Sequence, residues 1–391
     1  MSDPDAQPAR SAGPLRWANE QRVLDVLRQP GDGDGQDGHV PHTQADIARA
    51  TGLARATVSN IVRDLSARGL VEAKAGAGRR GSSVRLSGSV GVVLGVDFGH
   101  SHLSVAVGDL TGNVITEERH AVRSPLPPLD ALRRAREIAE HLHPDLSEVR
   151  TIGLGLPAPV IHDTIGTPAI FPGWDDVDAR SLASSVFGVP ALVENDANLG
   201  ALAEHRAGVA RGARHAVFVK VSSGVGAGLI LDDRVFHGAH GTAGEIGHLT
   251  LDDQGPLCRC GSRGCLEAYS STTVVTEMLA DQLPGAGFDD VVEAAEGGNG
   301  AARRALEDAG LHLGWAIATI VNLINPEIVI IGGELAKAGD HLLEPARVGL
   351  RRHALDSATS TPLRASEFGE RASLVGAVLL ASDGTDLRAP A

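Results

Sequence analysis

The strongest constraint on the fold is a series of nearly all-apolar segments that recurs between Val90 and residue 333. Four of them read VGVVLGVDFG (90–99), TIGLGLP (151–157), HAVFVKVSSG (215–224) and EIVIIGG (327–333). Runs of this kind suit strands that are buried on both faces of a sheet. Amphipathic helical segments, such as 129–142 and 302–324, separate them. The alternation predicts an α/β domain over residues 89–391.

The segment before residue 89 predicts a winged helix-turn-helix module over 14–88. Apolar spacing indicates a first helix over 15–29, and Thr43 followed by Asp46 marks the start of a second. A third helix is expected from Arg55 to Arg68, after the Thr51–Gly52 break. Residues 70–87 predict two short strands around a basic glycine-rich turn, and 1–13 and 30–41 predict a disordered tail and a flexible loop.

Charge sets this module apart from the rest of the chain. The chain carries a formal charge of −14, yet residues 47–88 carry a local +6. A basic face on a helix-turn-helix indicates a DNA-binding module, whereas the alternative is a solvated helical hairpin. The side chains expected to face base edges in the major groove are Arg55, Thr57, Ser59, Asn60 and Arg63, and those expected to reach phosphates or the minor groove from the wing are Arg79 and Arg80.

The three cysteines of the chain lie within eight residues. Cys258, Cys260 and Cys265 follow His248 by ten to seventeen positions, in a C-x-C-x4-C pattern. Three thiolates and one imidazole form a closed tetrahedral set that binds zinc without leaving an open position for water. The pattern therefore predicts a structural Zn²⁺ site, and the alternative is a set of reduced buried cysteines.

Two glycine-rich turns are candidates for phosphate binding, although each also fits an ordinary tight turn. GVDFGHSH (95–102) follows a buried strand, and SSGVGAG (222–228) allows close backbone approach to an anion. VENDANLGALAE (193–204) places Asn195 and Asp196 at the start of a helix. There Asp196 could accept a hydroxyl proton, or the pair could simply cap the helix.

Taken together, the motifs resemble the ROK family (repressors, open reading frames and sugar kinases) over about residues 15–385. Besides the helix-turn-helix and the turns above, the motifs that carry the resemblance are GLGLPAPV (153–160), FPGW (171–174), ENDAN (194–198), AGEIGH (243–248), CRCGSRGCLE (258–267) and NPEIVIIGGEL (325–335). The resemblance implies an actin-like ATPase fold of two α/β lobes with a sugar cleft between them.

The resemblance also implies roles for individual residues. Sugar contacts would come from Asn195, Asp196, Glu245, His248 and Glu267, with Asp196 as the base if the chain is a kinase. Nucleotide contacts would come from Asp97, Gly99, Ser101, Gly224, Gly226, Gly228, Gly332 and Gly333. Kinases of the family resemble D-x-G-G-T-K at the first turn, whereas this chain has His100 and His102 in place of the second glycine and the lysine. These changes argue against ordinary ATP and Mg²⁺ placement.

Three functions are consistent with these observations. The favoured one is a sugar-responsive DNA-binding regulator, in which a homodimer or tetramer binds operator DNA and a sugar sets the spacing of the DNA-binding pair. The alternatives are an active ATP-dependent hexose kinase with an attached DNA-binding module, and a regulator that responds to a protein partner or has lost ligand binding. The sequence starts without an apolar signal segment and has no membrane-length apolar run, so a cytoplasmic protein is expected.

Overall fold

The computed structural model describes residues 13–28, 42–74, 83–122, 126–161, 163–165 and 171–387. Most of the predicted tail, the predicted loop 30–41 and the turn of the wing with Arg79 and Arg80 lie outside these residues. Gly13 was expected to end the tail, but it is the first residue of a helix. None of the described helices is both long enough and apolar enough to cross a membrane.

The N-terminal module is a winged helix-turn-helix. Its elements are α1 (Gly13–Arg28), β1 (His42–Thr43), α2 (Gln44–Thr51), α3 (Arg55–Ala67), β2 (Val71–Lys74) and β3 (Ser83–Leu86). Thr43 and Asp46 form the predicted capping box of α2, and Gly52 adopts a left-handed conformation that ends it. Gly69 closes α3 with a φ of +73°, as the sequence predicts. The three strands form one antiparallel sheet in the order β1–β3–β2.

The first lobe is built on a five-stranded sheet in the order β10–β7–β4–β5–β6. Its strands and helices are β4 (Val92–Phe98), β5 (His102–Gly108), β6 (Val114–Ala121), α4 (Pro128–Leu142), β7 (Val149–Leu156), β8 (Val160–Ile161), β9 (Thr164–Ile165), α5 (Ala179–Phe187), β10 (Ala191–Asn195) and α6 (Asp196–Arg206). Strands β4, β7 and β10 run parallel, while β4, β5 and β6 form an antiparallel meander. The predicted apolar strands lie in the centre of the sheet, with β4 and β7 almost completely buried.

The second lobe repeats this plan with a sheet in the order β13–β12–β11–β14–β15. Its elements are β11 (Ala216–Val221), β12 (Val225–Leu231), β13 (Arg234–Val235), α7 (Glu267–Ser270), α8 (Thr272–Met278), α9 (Phe288–Glu296), α10 (Gly300–Ile324), β14 (Ile328–Gly332), α11 (Asp340–His353), β15 (Leu363–Ala365) and α12 (Ala372–Gly384). Parallel pairing joins β11 to β14 and β14 to β15. Two lobes of the same mixed α/β plan confirm the predicted fold class.

Helix α12 returns from the second lobe to pack on the first. It is buried along most of its length, and Gly376 lets it approach α6 so closely that a Cβ there would lie 2.0 Å from the Leu199 carbonyl oxygen. The face of α12 that packs on β4 and β5 belongs to an apolar cluster that extends into the N-terminal module. One apolar cluster contains Val23 and Leu24 of α1 together with Leu374 and Val378 of α12. The DNA-binding module and the α/β domain therefore share a continuous core.

Candidate functional site

A cleft lies where the two lobes meet. It brings together residues that are far apart in the sequence and that the resemblance assigns to sugar or nucleotide binding. The predicted site residues that line it are Gly99, Ser101, Asn195, Asp196, Gly224, Gly226, Glu245, His248, Glu267 and Gly333. All five predicted sugar contacts are therefore in one place.

Asn195 and Asp196 reach the cleft because β10 ends where α6 begins. The Asn195 side chain caps α6, since its Oδ1 accepts hydrogen bonds from the backbone N–H groups of Ala197 and Asn198. Its Nδ2 donates to the carbonyl oxygen of Ala158 at 3.1 Å. The capping alternative therefore describes Asn195 well, while the carboxylate of Asp196 remains directed at the cleft.

Asp196 is held by a lysine that the sequence analysis did not single out. Lys220 Nζ donates to Asp196 Oδ2 at 2.7 Å and to Ser373 Oγ at 3.1 Å. Burial lowers the pKa of Lys220, but the negative charges of Asp196 and Asp97 outweigh it, and the pKa lies above its usual value. The available signal was a single lysine in the otherwise apolar strand HAVFVKV.

Glu245 and Glu267 supply two further carboxylates on the same wall. Burial, followed by the charges of Asp196 and Glu267, raises the pKa of Glu245 to about 7. The negative charge of Glu267 has two hydrogen-bond donors beside it. Its Oε2 accepts from the Val225 N–H, and its Oε1 accepts from Arg259 Nε at 2.6 Å. These carboxylates are acceptors of the kind that bind sugar hydroxyls.

The loop that carries Glu245 is fixed to the first lobe by an ion pair that sequence reasoning missed. His237 Nε2 lies 2.6 Å from Glu194 Oε2, and this contact raises the pKa of His237. Glu194 also accepts hydrogen bonds from the Asn195 N–H and from Asn198 Nδ2. The acidic start of the ENDAN motif therefore positions both the cap of α6 and the opposite loop.

The first glycine turn is covered by an imidazole. His102 Nε2 lies 2.9 Å from Asp97 Oδ2, and a Cβ at Gly99 would lie 2.2 Å from the His102 ring. Burial raises the pKa of Asp97, but the charge of Lys220 and the His102 hydrogen bond more than offset it, so the pKa is lowered. His100 instead packs edge-on against Phe171, at a centroid distance of 5.7 Å. His102 therefore covers Gly99, while both His100 and His102 line the cleft.

Two of the glycines proposed to contact a nucleotide lie at tightly packed positions. A Cβ at Gly228 would lie 2.3 Å from the carbonyl oxygen of Ala197, and one at Gly332 would lie 2.4 Å from the ring of Phe218. Neither residue lines the cleft. Their small size is needed where β12 passes α6 and where β14 passes Phe218.

The four predicted metal ligands come together. The ligand atoms of His248, Cys258, Cys260 and Cys265 all lie within 4.8 Å of one another. Cys258 Sγ is 3.8 Å from His248 Nδ1, and Cys260 Sγ is 3.7 Å from Cys265 Sγ. Tetrahedral zinc with Zn–S bonds of about 2.3 Å requires S···S distances of about 3.8 Å, so the set fits such an ion.

The loop reaches this geometry through left-handed glycines. Gly261 and Gly264 have φ values of +91° and +62°. Burial and the neighbouring thiols raise the pKa of Cys265 to about 12, so the thiols resist ionising together in the absence of a cation. His248 turns Nδ1 to Cys258 and also lines the cleft, which places the metal candidate directly behind the sugar candidate.

The predicted DNA-contacting residues lie along one side of α3. Arg55, Ser59, Asn60 and Arg63 are exposed and Thr57 is partly buried, while Val58, Ile61, Val62 and Leu65 form the core face. Asn60 Oδ1 accepts from Arg63 Nη2 at 2.9 Å. Arg16 of α1 binds Asp64 at 2.6 Å, which fixes the back of the recognition helix. The predicted wing contacts Arg79 and Arg80 lie outside the described residues.

The N-terminal module and the two-lobed domain each match a known protein family. Residues 23–81 match the MarR family and residues 93–384 match the ROK family. The xylose repressor of Bacillus spizizenii is 29% identical over 317 residues, which cover 78% of this chain and 82% of the repressor.

Solved structures agree with these matches. A ROK family transcriptional regulator, a homolog of the E. coli MLC protein, has a TM-score of 0.76 at 26% identity and covers 94% of this chain and 96% of its own. A ROK family glucokinase from Streptomyces griseus, in complex with glucose and AMPPNP, has a TM-score of 0.69 at 27% identity, over 75% of this chain and all of its own. The family predicted from the motifs is confirmed: the chain belongs to the ROK family and carries a MarR-type winged helix at its N-terminal end.

Proposed function

We propose that this chain is a DNA-binding transcriptional repressor whose two-lobed domain binds a sugar as its effector. The observation that carries the proposal is the pairing of a winged helix with a polar, exposed recognition face and a cleft that holds all five predicted sugar contacts. The relatives named as repressors span both parts. A sugar kinase without a regulatory role would not need the winged helix.

The DNA-binding half of the proposal places the recognition helix in the major groove. Arg55 and Asn60 are the side chains expected to reach base edges. A duplex selected by the protein from a random library serves as the probe, with binding followed by fluorescence anisotropy. The double variant Arg55→Ala, Asn60→Ala should weaken binding at least tenfold, whereas Arg133→Ala, on the exposed face of α4, should not. Unchanged affinity in the double variant would refute the assignment.

The sugar half is tested with a panel of D-xylose, D-glucose and N-acetylglucosamine. All three sugars are named with relatives of this chain. A sugar that binds the native state raises the melting temperature by mass action, so thermal shift identifies it. The same sugar should change the affinity of the selected duplex. Glu267→Gln should remove the thermal shift, because Glu267 anchors this wall of the cleft.

A second candidate function is an ATP-dependent hexose kinase with an attached DNA-binding module. The similarity to the Streptomyces griseus glucokinase favours it, with Asp196 as the base. The pairing of Lys220 with Asp196 and the position of His102 over Gly99 count against it. ADP release from ATP, Mg²⁺ and the panel sugars decides the matter. Turnover that Asp196→Ala abolishes would favour the kinase.

For the metal, we propose a structural Zn²⁺ held by His248, Cys258, Cys260 and Cys265. Four protein ligands leave no open position, so the ion would order the loop behind the cleft rather than act on the sugar. By fixing the ring of His248, it would also orient one predicted sugar contact.

For the assembly, we propose a homodimer or a dimer of dimers on operator DNA. Two recognition helices related by a two-fold axis read half-sites about one helical turn apart, so the operator would be pseudo-palindromic. Analytical ultracentrifugation of the free protein and of its complex with the selected duplex measures the stoichiometry.

A further inference from the structure

We propose that Lys220 transmits sugar binding to the DNA-binding module, by joining Asp196 to the first turn of α12. This inference rests on the proposed function, since it names the route by which that function would be regulated. The route has three parts: a polar junction at the cleft, a buried helix, and an anchor on α1.

The junction joins three elements that are distant in the sequence. Lys220 Nζ donates to Asp196 Oδ2 and to Ser373 Oγ, and Ser373 Oγ in turn donates to the backbone carbonyl oxygen of Asp196 at 2.9 Å. Lys220 belongs to β11, Asp196 to α6 and Ser373 to α12. A closed ring of hydrogen bonds therefore connects the second lobe, the Asp196 carboxylate and α12.

The junction is buried, and this makes it sensitive to a ligand. The side chains of Lys220 and Asp196 are only 13% and 12% exposed. Buried charges tolerate little loss of their partners, because unpaired ones are costly. A sugar hydroxyl that donates to the Asp196 carboxylate adds a competing donor. The ammonium of Lys220 must then readjust, and its other acceptor, Ser373, lies on α12.

The helix that starts at this junction ends at the DNA-binding module. Helix α12 has 13 residues and is therefore about 20 Å long. The guanidinium of Arg28, the last residue of α1, donates to the backbone carbonyl oxygens of Asp383 and Thr385 at the far end. Arg28 is 5% exposed, so the anchor is buried as well.

Between its two ends, α12 is packed on all sides. Leu374, Val378 and Ala381 share one apolar cluster with residues of α1, and Gly376 is in close contact with α6. Packed interiors move between discrete arrangements rather than deforming smoothly. A shift of the first turn would therefore be passed along α12 as a whole and would move α1.

The test measures coupling separately from binding. Operator affinity is determined with and without a saturating sugar from the panel to which the wild type responds, and sugar affinity is measured by calorimetry. Ser373→Ala and Arg28→Met should each retain sugar binding and operator binding. In coupled systems a ligand changes affinity at the second site by about 5- to 150-fold. In these two variants the sugar should change operator affinity by less than about twofold. Lys337→Met, a lysine paired with Asp289 and Glu370 outside this route, should keep the wild-type ratio.

A second measurement covers the case in which a variant binds DNA poorly. Sugar should change amide hydrogen exchange in α12 and α1 of the wild type, and Ser373→Ala should abolish the change in α1. Wild-type coupling in both Ser373→Ala and Arg28→Met would overturn this inference while leaving the proposed function intact. A wild type that binds DNA and sugar without any mutual effect would overturn both.

Discussion

Glu245 gives a direct test of the electrostatics of the cleft. Its pKa is raised from 4.5 to about 7 by burial and by the carboxylates of Asp196 and Glu267. Such a shift corresponds to about 3 kcal/mol of unfavourable free energy for the ionised form in the folded state. Because the folded pKa is the higher one, this cost is absent below pH 4.5, grows as the pH rises, and is complete above pH 7.

The perturbation is Glu245→Gln, which keeps the shape but cannot ionise. Relative to the wild type, the variant should gain about 2.5 kcal/mol of unfolding free energy between pH 5 and pH 8, because part of the cost is already present at pH 5. Urea denaturation of the sugar-free, metal-loaded protein at these two pH values measures the change. Glu296→Gln, on the exposed side of α9, is the matched control and should show no pH-dependent gain.

The reasoning is refuted if the stability difference between wild type and Glu245→Gln is the same at both pH values. The same carboxyl predicts a functional effect with a defined sign. A sugar hydroxyl that donates to Glu245 favours the ionised form, so sugar affinity of the wild type should rise between pH 6 and pH 8. Glu245→Gln should lose that rise.

Three further predictions concern the metal, the packing and the winged helix. Atomic emission should find one zinc ion per wild-type chain. Cys260→Ser should lose the ion and melt at a lower temperature than the wild type. Equal zinc content in the two proteins would contradict the assignment. Gly228→Ala should destabilise the protein by about 1–3 kcal/mol in urea, because its Cβ would meet the Ala197 carbonyl at 2.3 Å, whereas Gly88→Ala, with nothing within 4 Å, should not. Thr43→Ala removes the cap of α2 and should cost about 1 kcal/mol, measured in the same way; no loss would mean that the capping box contributes nothing there.

The sequence predicts the features that depend on local spacing. The capping box of α2, the apolar strands and the cysteine loop each lie within a short stretch of chain, where periodicity, caps and ligand spacing act directly. The candidate ligand His248 could also be predicted locally, because it precedes Cys258 by only ten residues.

The features that local spacing cannot predict depend on packing between distant segments. Lys220 and Ser373 are 153 residues apart, and only the closed fold brings them to the same carboxylate. The motif GVDFGHSH likewise does not reveal which histidine covers Gly99, since this depends on the strand pair β4–β5 and on Phe171. Gly228 and Gly332 present a related difficulty. A glycine required for close packing has the same sequence signature as one that approaches a phosphate.

The continuous core between α1 and α12 also limits how such a chain can be rebuilt. A winged helix transplanted from another regulator would need apolar residues that continue this cluster, as Val23 and Leu24 do, and a cation placed as Arg28 is. Chimaeras that match only the length of the connecting segment would leave these apolar residues exposed to water on both domains.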